Sequence, residues 1–137
     1  LGDKKDAGFS VRIATSMDVD SKKGGSIINS NGITDKAAWG KRAEWVDYHG
    51  PVKGKTVGVA ILNHPKSFRH PTPWHVRTYG LFTANPFGIK SLGQGKDGSF
   101  TLEKGKSITL RHRVIFHKGD EKAAKIAQAY KTYANEK

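Results

Sequence analysis

The sequence contains no cysteine, which excludes disulfides, thiolate catalysis and a cysteine-ligated zinc site. It also lacks an apolar run of the roughly 18 residues that a membrane-spanning helix needs, so no segment is predicted to cross a membrane. The first residues, LGDK, include neither an initiator methionine nor an apolar signal region. We therefore expect the chain to be processed, or to be cut from a longer protein.

Acidic residues are scarce, since 12 of them stand against 24 lysines and arginines and leave a formal net charge of +12. This excess raises the question of nucleic acid, whose phosphates bind lysine and arginine gathered on one face. The lysines here are scattered over short turn-like pieces and the C-terminal segment, and no nucleic-acid-binding motif is present. A nucleic-acid partner is therefore not favoured.

The length of 137 residues predicts one domain, residues 1–137, built around one core. A hydrophobic content of 36% together with 16 glycines favours a folded, loop-rich domain over a disordered chain. No internal repeat or low-complexity segment interrupts it.

Period-two alternation of apolar and polar residues predicts several β-strands. They are expected at residues 9–17, 26–28, about 43–48, 56–63, 74–82, from 100 onward, and 107–117. The strand at 56–63 is apolar on both faces and is predicted to be buried on both sides. In 107–117, His112, Val114 and Phe116 share the face expected to be apolar. An alternative for residues 35–50 is a short helical turn capped by Asp35.

The last segment changes period, because its apolar residues recur at spacings of three and four. This pattern predicts an amphipathic helix over about residues 120–135, packed on the sheet. The expected fold is thus mainly β, an antiparallel β-sandwich with a C-terminal α-helix.

Residues 60–88 are the expected location of a site, since they hold three of the six histidines and four of the five prolines. The imidazoles of His64, His70 and His75 are predicted to converge on one metal ion, for which zinc, copper or non-haem iron would be suitable. The alternative is that His64 and His70, each directly before a proline, hydrogen-bond backbone carbonyls of the loop.

Glu44 is the preferred carboxylate for acid–base chemistry, paired with His64 or His75 as the second catalytic group. A carboxylate and a histidine can together serve a reaction that takes a proton from a carbon or a hydroxyl. The alternative is structural, in which Glu44 forms an ion pair with Arg42 or Arg77 across strands.

Aromatic and polar side chains in the same region are predicted to contact a sugar, because flat rings stack on pyranose faces and arginines bind hydroxyls or carboxylates. The predicted contacts are Trp45, Arg69, Trp74, Arg77 and Asn85. Of the three tryptophans, Trp39 included, at least one is expected to lie in the core.

Several motifs are distinctive enough to carry a family resemblance. They are AWGKRAEW at 38–45, the His64-Pro65 pair, RHPTPWHVR at 69–77, YGLF at 79–82 and ANPFG at 84–88. Together they resemble the bacterial family filed as methane oxygenase PmoA, although true particulate methane monooxygenase subunits span a membrane and this sequence contains no such span.

The resemblance implies a β-sandwich similar to the galactose-mutarotase-like supersandwich, in extracytoplasmic proteins of polysaccharide-degrading bacteria. Members of that family are longer and carry a His-His-Arg-type motif in their first half, which is absent here. The chain therefore resembles a C-terminal half or a shortened member, and a missing N-terminal half or a second copy of the chain is the expected partner.

The leading functional hypothesis is a carbohydrate-active domain, a glycoside hydrolase or lyase that acts on an oligosaccharide or polysaccharide. A non-catalytic carbohydrate-binding module needs the aromatic and arginine side chains alone and is the first alternative. A histidine-ligated, metal-dependent oxidase is the second.

Overall fold

Two antiparallel β-sheets pack face to face in the computed structural model, which describes all residues 1–137. The strands are β1 (Phe9–Arg12), β2 (Ser26–Asn29), β3 (Trp45–Val52), β4 (Lys55–Asn63), β5 (Trp74–Val76), β6 (Leu81–Ala84) and β7 (His112–Lys118). The small sheet has the order β1-β6-β5 and the large sheet the order β2-β3-β4-β7. A single α-helix, α1 (Ile126–Ala134), follows. The predicted mainly β sandwich with a C-terminal helix is confirmed.

Three 3₁₀ turns join these elements, at Thr15–Met17, Asp35–Ala38 and Lys90–Leu92. The turn at Asp35 and the strand β3 are both present, so the two interpretations of residues 35–50 hold for different parts of that segment. Neither α1 nor any of the 3₁₀ turns has the length and apolar content of a membrane span.

The hairpin of β3 and β4 is the centre of the large sheet. Lys53 and Gly54 both have positive φ angles, 49° and 76°, which form a tight two-residue turn whose twist matches the flanking strands. Val52 therefore pairs directly with Lys55. The turn is shorter than the predicted one at 50–55, and both strands are correspondingly longer.

Side chains of β3 alternate between two cores. Val46 and Tyr48 point between the sheets into the main core of 12 buried residues. Trp45 points to the opposite, outer face, where α1 covers a second core of six. That second core consists of Trp45, Ala60, Leu62, Ile126, Tyr130 and Tyr133.

β4 is buried on both faces, as its apolar pattern predicts. Ile61 belongs to the main core, whereas Ala60 and Leu62 pack beneath α1, and all three are 0% exposed. The strand thus contributes to both cores along its C-terminal half.

Several predicted boundaries are wrong. Residues 107–111 are not a strand. Asn63, the last residue of β4, pairs with His112, so residues 107–111 have no strand beside them and bond to the loop after β4 instead. In that loop the N–H groups of His64 and Phe68 bind the carbonyls of Arg111 and Thr109. No strand begins at Phe100, whose N–H binds the carbonyl of Leu1.

Other elements are shorter than predicted. The strand expected at 9–17 ends at residue 12, and the one at 74–82 is divided by a turn at residues 77–80 in which Gly80 has φ +98°. The helix starts at Ile126 rather than near 120, because Lys125 adopts a left-handed backbone with φ 54°. Phe116 is 79% exposed, since β7 is an edge strand of the larger sheet and the small sheet leaves this position uncovered.

The N-terminal segment is fastened to the loop after β6 by the carboxylate of Asp3. Its oxygens accept hydrogen bonds from four backbone N–H groups, those of Ile89, Lys90, Ser91 and Gly98. Hydrogen bonds with Ser91, Gly98 and Lys90 hold the pKa of the Asp3 carboxyl well below its usual range. This anchor sets the course of residues 4–8 across the small sheet.

We predict that Tyr48→Phe lowers the free energy of unfolding by about 1–3 kcal/mol, as expected when buried polar groups lose their partner. The buried Tyr48 hydroxyl binds the carbonyls of Arg77 and Thr78, each at 3.0 Å. Urea unfolding measures the change. The matched control is Tyr79→Phe at the same turn, 48% exposed, which should change stability by no more than about 0.5 kcal/mol. Equal stability of wild type and Tyr48→Phe would contradict this role.

Candidate functional site

The outer face of the small sheet carries a polar row across its three strands. Trp74 and Val76 point into the main core, so His75 between them points outward. His75 lies opposite Thr83, which in turn lies opposite Ser10, and the hydroxyls of Thr83 and Ser10 are 2.7 Å apart. The row is covered by the N-terminal segment, which leaves His75 only 2% exposed.

The tautomer of His75 follows from its contacts. Its Nδ1 lies 3.0 Å from the carbonyl oxygen of Lys5, and a carbonyl can only accept, so Nδ1 carries the proton. Nε2 therefore carries a lone pair, and it is buried without any hydrogen-bond partner. Burial lowers the pKa of His75, outweighing the hydrogen bond to Lys5 that raises it. His75 is thus a neutral imidazole near pH 7 with a free basic nitrogen.

Trp39 lies between His75 and Arg77. The guanidinium of Arg77 lies 4.9 Å from the centre of the Trp39 ring, and the ring meets the imidazole of His75 edge to face with centroids 6.3 Å apart. Nε1 of Trp39 and Nε of Arg77 are also buried without partners. Three unpartnered polar atoms around one indole are unusual, because buried polar groups in proteins are nearly always hydrogen-bonded.

Two cavities open beside these residues. The first, of about 170 Å³, is lined by His75, Asp6, Ser10 and Thr83 among others. The second, of about 270 Å³, is lined by Asp20, Lys36, Trp39, Val76, Arg77, Thr78 and Tyr79. Each is larger than the roughly 30 Å³ that one water molecule occupies in the liquid. We refer to Trp39, His75 and Arg77 with these two cavities as the His75 site.

The structure does not bring His64, His70 and His75 together as a metal site. The one group of at least three potential ligand residues in close reach is Asp47, His49 and Glu121. His64 is fully buried and donates from Nε2 to the carbonyl of Glu136, while His70 binds the side chain of Asn63. The alternative, in which His64 and His70 bind backbone carbonyls of their own loop, is also wrong, because the carbonyl that His64 binds lies near the C-terminus and the partner of His70 is a side chain.

Glu44 is exposed, and neither His64 nor His75 bonds its carboxylate: their ring nitrogens bind the carbonyls of Glu136 and Lys5. Its backbone N–H binds the hydroxyl of Ser30, and its carboxylate forms no ion pair with Arg42 or Arg77. Neither the catalytic nor the structural pairing expected for Glu44 is therefore present.

Three predicted sugar contacts are buried instead. Trp74 is 0% exposed in the main core and its Nε1 binds the carbonyl of Ala43, which confirms that at least one tryptophan is a core residue. Asn85 is also 0% exposed, and its amide binds the carbonyls of Lys4 and Lys5. Trp45 lies under α1, with 7% of its surface exposed.

Arg69 lies in a separate open cleft of about 470 Å³, together with Arg42, His70 and Lys96. Its guanidinium stacks on the ring of Phe68 and binds backbone carbonyls, without a carboxylate partner. Of the predicted site residues, only His75 and Arg77 are neighbours in the His75 site.

Sequence reasoning missed a second cluster of ionisable side chains, on the outer face of the large sheet. Asp47, fully buried, accepts hydrogen bonds from His49 and His117, and Glu121 lies nearby. The spacing of Asp47 and His49 within a strand could have placed those two on one face. Their contact with His117 depends on strand pairing, for which the sequence contained no direct signal.

We predict that His75 titrates below its ordinary pKa of 6.5 in the folded protein, because burial disfavours the imidazolium. The stability that neutral His75 supplies is present above pH 6.5 and is lost as pH falls through the folded-state pKa. NMR titration of the imidazole measures this, with the urea-unfolded chain as the reference. In His75→Asn, whose amide can still donate to Lys5, stability should fall less between about pH 7 and about pH 5. A midpoint above that of the unfolded chain would contradict the assigned environment.

In a comparison with protein-family models, residues 1–131 match a family of unknown function (DUF6807). No curated protein and no solved structure matches the chain. The family description names no activity, so the resemblance drawn from the motifs stays a prediction. Because the match covers nearly all of the sequence, the chain belongs to the DUF6807 family, a family of unknown function.

Proposed function

We propose that the chain is a carbohydrate-active domain and that the His75 site binds its saccharide. The observation that carries this proposal is the set of three buried polar atoms without partners, Nε2 of His75, Nε1 of Trp39 and Nε of Arg77. The first is an acceptor and the other two are donors. A sugar hydroxyl both donates and accepts, so neighbouring hydroxyls of one ring match this mixed set.

The charges around the site favour an acidic saccharide. Arg77 and Lys36 line the larger cavity with one carboxylate, Asp20, and the chain as a whole carries a net charge of +12. Arginine binds a carboxylate with two parallel hydrogen bonds, and the positive field attracts a polyanion over longer distances. Tyr79, 48% exposed, adds an aromatic face at this cavity. A uronic-acid polymer fits these features.

The chemistry that the site supports best is β-elimination. Nε2 of His75 takes the proton from the carbon next to the uronic carboxylate, whose charge Arg77 neutralises. The bond from the adjacent carbon to the glycosidic oxygen breaks, a carbon–carbon double bond forms, and the leaving oxygen takes a proton from water. Hydrolysis is less well supported, because it requires two carboxylates flanking one bond, whereas each cavity is lined by a single carboxylate, Asp6 in the first and Asp20 in the second.

A non-catalytic carbohydrate-binding module is the second candidate. It is favoured by the aromatic and cationic lining of the larger cavity, Trp39, Arg77 and Tyr79, which can bind a sugar without a base. Both candidates require saccharide binding at the same residues, and they differ only in turnover.

We predict that the chain binds a polyuronate more tightly than a neutral glucan, and that Trp39→Phe and Arg77→Gln each weaken binding at least about tenfold, equivalent to roughly 1.4 kcal/mol. Trp39→Phe keeps an aromatic ring but loses the Nε1–H donor. Isothermal titration calorimetry with defined oligouronates measures the affinities. The matched control is Arg113→Gln, since Arg113 lies on the large sheet and pairs with Glu136. Equal affinity in all four proteins would remove the saccharide site from this face.

We further predict that wild type generates the ultraviolet absorbance of an unsaturated uronate, and that His75→Asn lowers this rate by at least about 100-fold, the lower range for loss of a general base. The amide introduced by this substitution can still donate to the carbonyl of Lys5, as Nδ1–H does, but it lacks the acceptor and base Nε2, so the rates are compared at saturating saccharide. Saccharide binding by wild type without any absorbance change would favour the binding module instead.

A further inference from the structure

We propose that Asp47, His49 and Glu121 form a binding site for a divalent transition-metal ion of the zinc class. The site lies on the outer face of the large sheet and shares no residue with the His75 site. One ligand atom from each of the three side chains lies within 4.8 Å of the other two. One nitrogen and two carboxylate oxygens form a ligand set that zinc accepts in proteins.

The spacing of the ligand atoms suits a tetrahedral ion. Oδ2 of Asp47 is 3.0 Å from Nδ1 of His49, and Nδ1 of His49 is 3.8 Å from Oε2 of Glu121. Zinc bonds of about 2.0–2.1 Å at tetrahedral angles separate neighbouring ligand atoms by about 3.3 Å. The two observed distances lie on either side of this value, and the third, between Asp47 and Glu121, is at most 4.8 Å, so the ion requires a rotation that brings Glu121 closer to the other two side chains.

The strands set up this arrangement before any ion binds. Asp47 and His49, two residues apart on β3, face the same side, and Glu121 reaches them from the turn after β7. The ring of His117 crosses Gly58 and donates from Nε2 to Oδ1 of Asp47. This contact orients the carboxylate, as outer hydrogen bonds to metal ligands commonly do.

A change of tautomer at His49 leaves Nδ1 free to bind an ion. Without an ion, Nδ1 donates its proton to Asp47. When an ion takes that position, the neutral imidazole carries its proton on Nε2 instead. Nε2 has no partner in the protein and is not among the buried unpartnered atoms, so solvent can accept its hydrogen bond.

The three side chains are largely enclosed and supply one ligand atom each, which leaves one position of a four-coordinate ion for water. Asp47 is completely buried, while the side chains of His49 and Glu121 are 13% and 12% exposed. Glu121 also lines a cleft of about 520 Å³ that contains Trp45 and three lysines. Three protein ligands with a fourth position for water are the pattern of an open zinc site.

The test uses the whole chain without a histidine tag, freed of metal with a chelator, and titrated with zinc by calorimetry. We expect one equivalent to bind, and Co²⁺ to produce the intense visible absorption of tetrahedral coordination. Glu121→Gln and His49→Gln should each weaken zinc binding at least tenfold, and His117→Gln by about 10- to 100-fold. Glu103→Gln and His70→Gln, which change a carboxylate and an imidazole elsewhere, should leave the affinity unchanged.

Absence of stoichiometric binding, or equal affinity in wild type, Glu121→Gln and His49→Gln, would overturn the proposal. Circular dichroism of each variant shows whether it is folded. If His49→Gln does not fold, Glu121→Gln still tests the proposal, because Glu121 lies in a turn outside the strands. Saccharide binding is measured on different residues, so the two proposals succeed or fail independently.

Discussion

The alternation of side chains along β3 is the constraint on which both sides of the large sheet depend. Val46 and Tyr48 must point between the sheets, where they are 0% exposed, and their neighbours must then point to the helix side. A one-residue slip of register would exchange the two sets and bury Asp47 in the main core. The same alternation that forms the core therefore places a carboxylate and an imidazole side by side on the outer face.

The state of His75 depends on chain segments that are far apart in the sequence. The hydroxyl of Tyr48, in the core, binds the backbone of the turn that contains Arg77. On the outer side, Asp3 fastens the N-terminal segment to the loop after β6. The carbonyl of Lys5, brought over the small sheet by that segment, determines which ring nitrogen of His75 carries the proton. The burial and the tautomer of His75 thus depend on core packing on one side of the small sheet and on the N-terminal segment on the other.

Hydrophobic periodicity predicted the mainly β fold, the doubly buried β4 and the existence of the helix, because each depends on local alternation. It did not predict where β7 begins, since that boundary depends on where its partner β4 ends. Closeness in sequence was a poor guide to the site residues, because their neighbours are likewise set by contacts with distant parts of the chain. His64 and His75 are near each other in the chain, yet one binds the C-terminal backbone and the other faces outward from the small sheet. Trp39 joins His75 only through the tertiary fold.

Gly58 and His117 restrict each other across the β4–β7 pairing. A Cβ at position 58 would collide with the imidazole, so no side chain fits there while position 117 carries a ring directed at Asp47. The two positions are therefore expected to vary together among related sequences. A side chain at 58 would require the imidazole at 117 to turn away, and the buried carboxylate would then lose its second hydrogen bond.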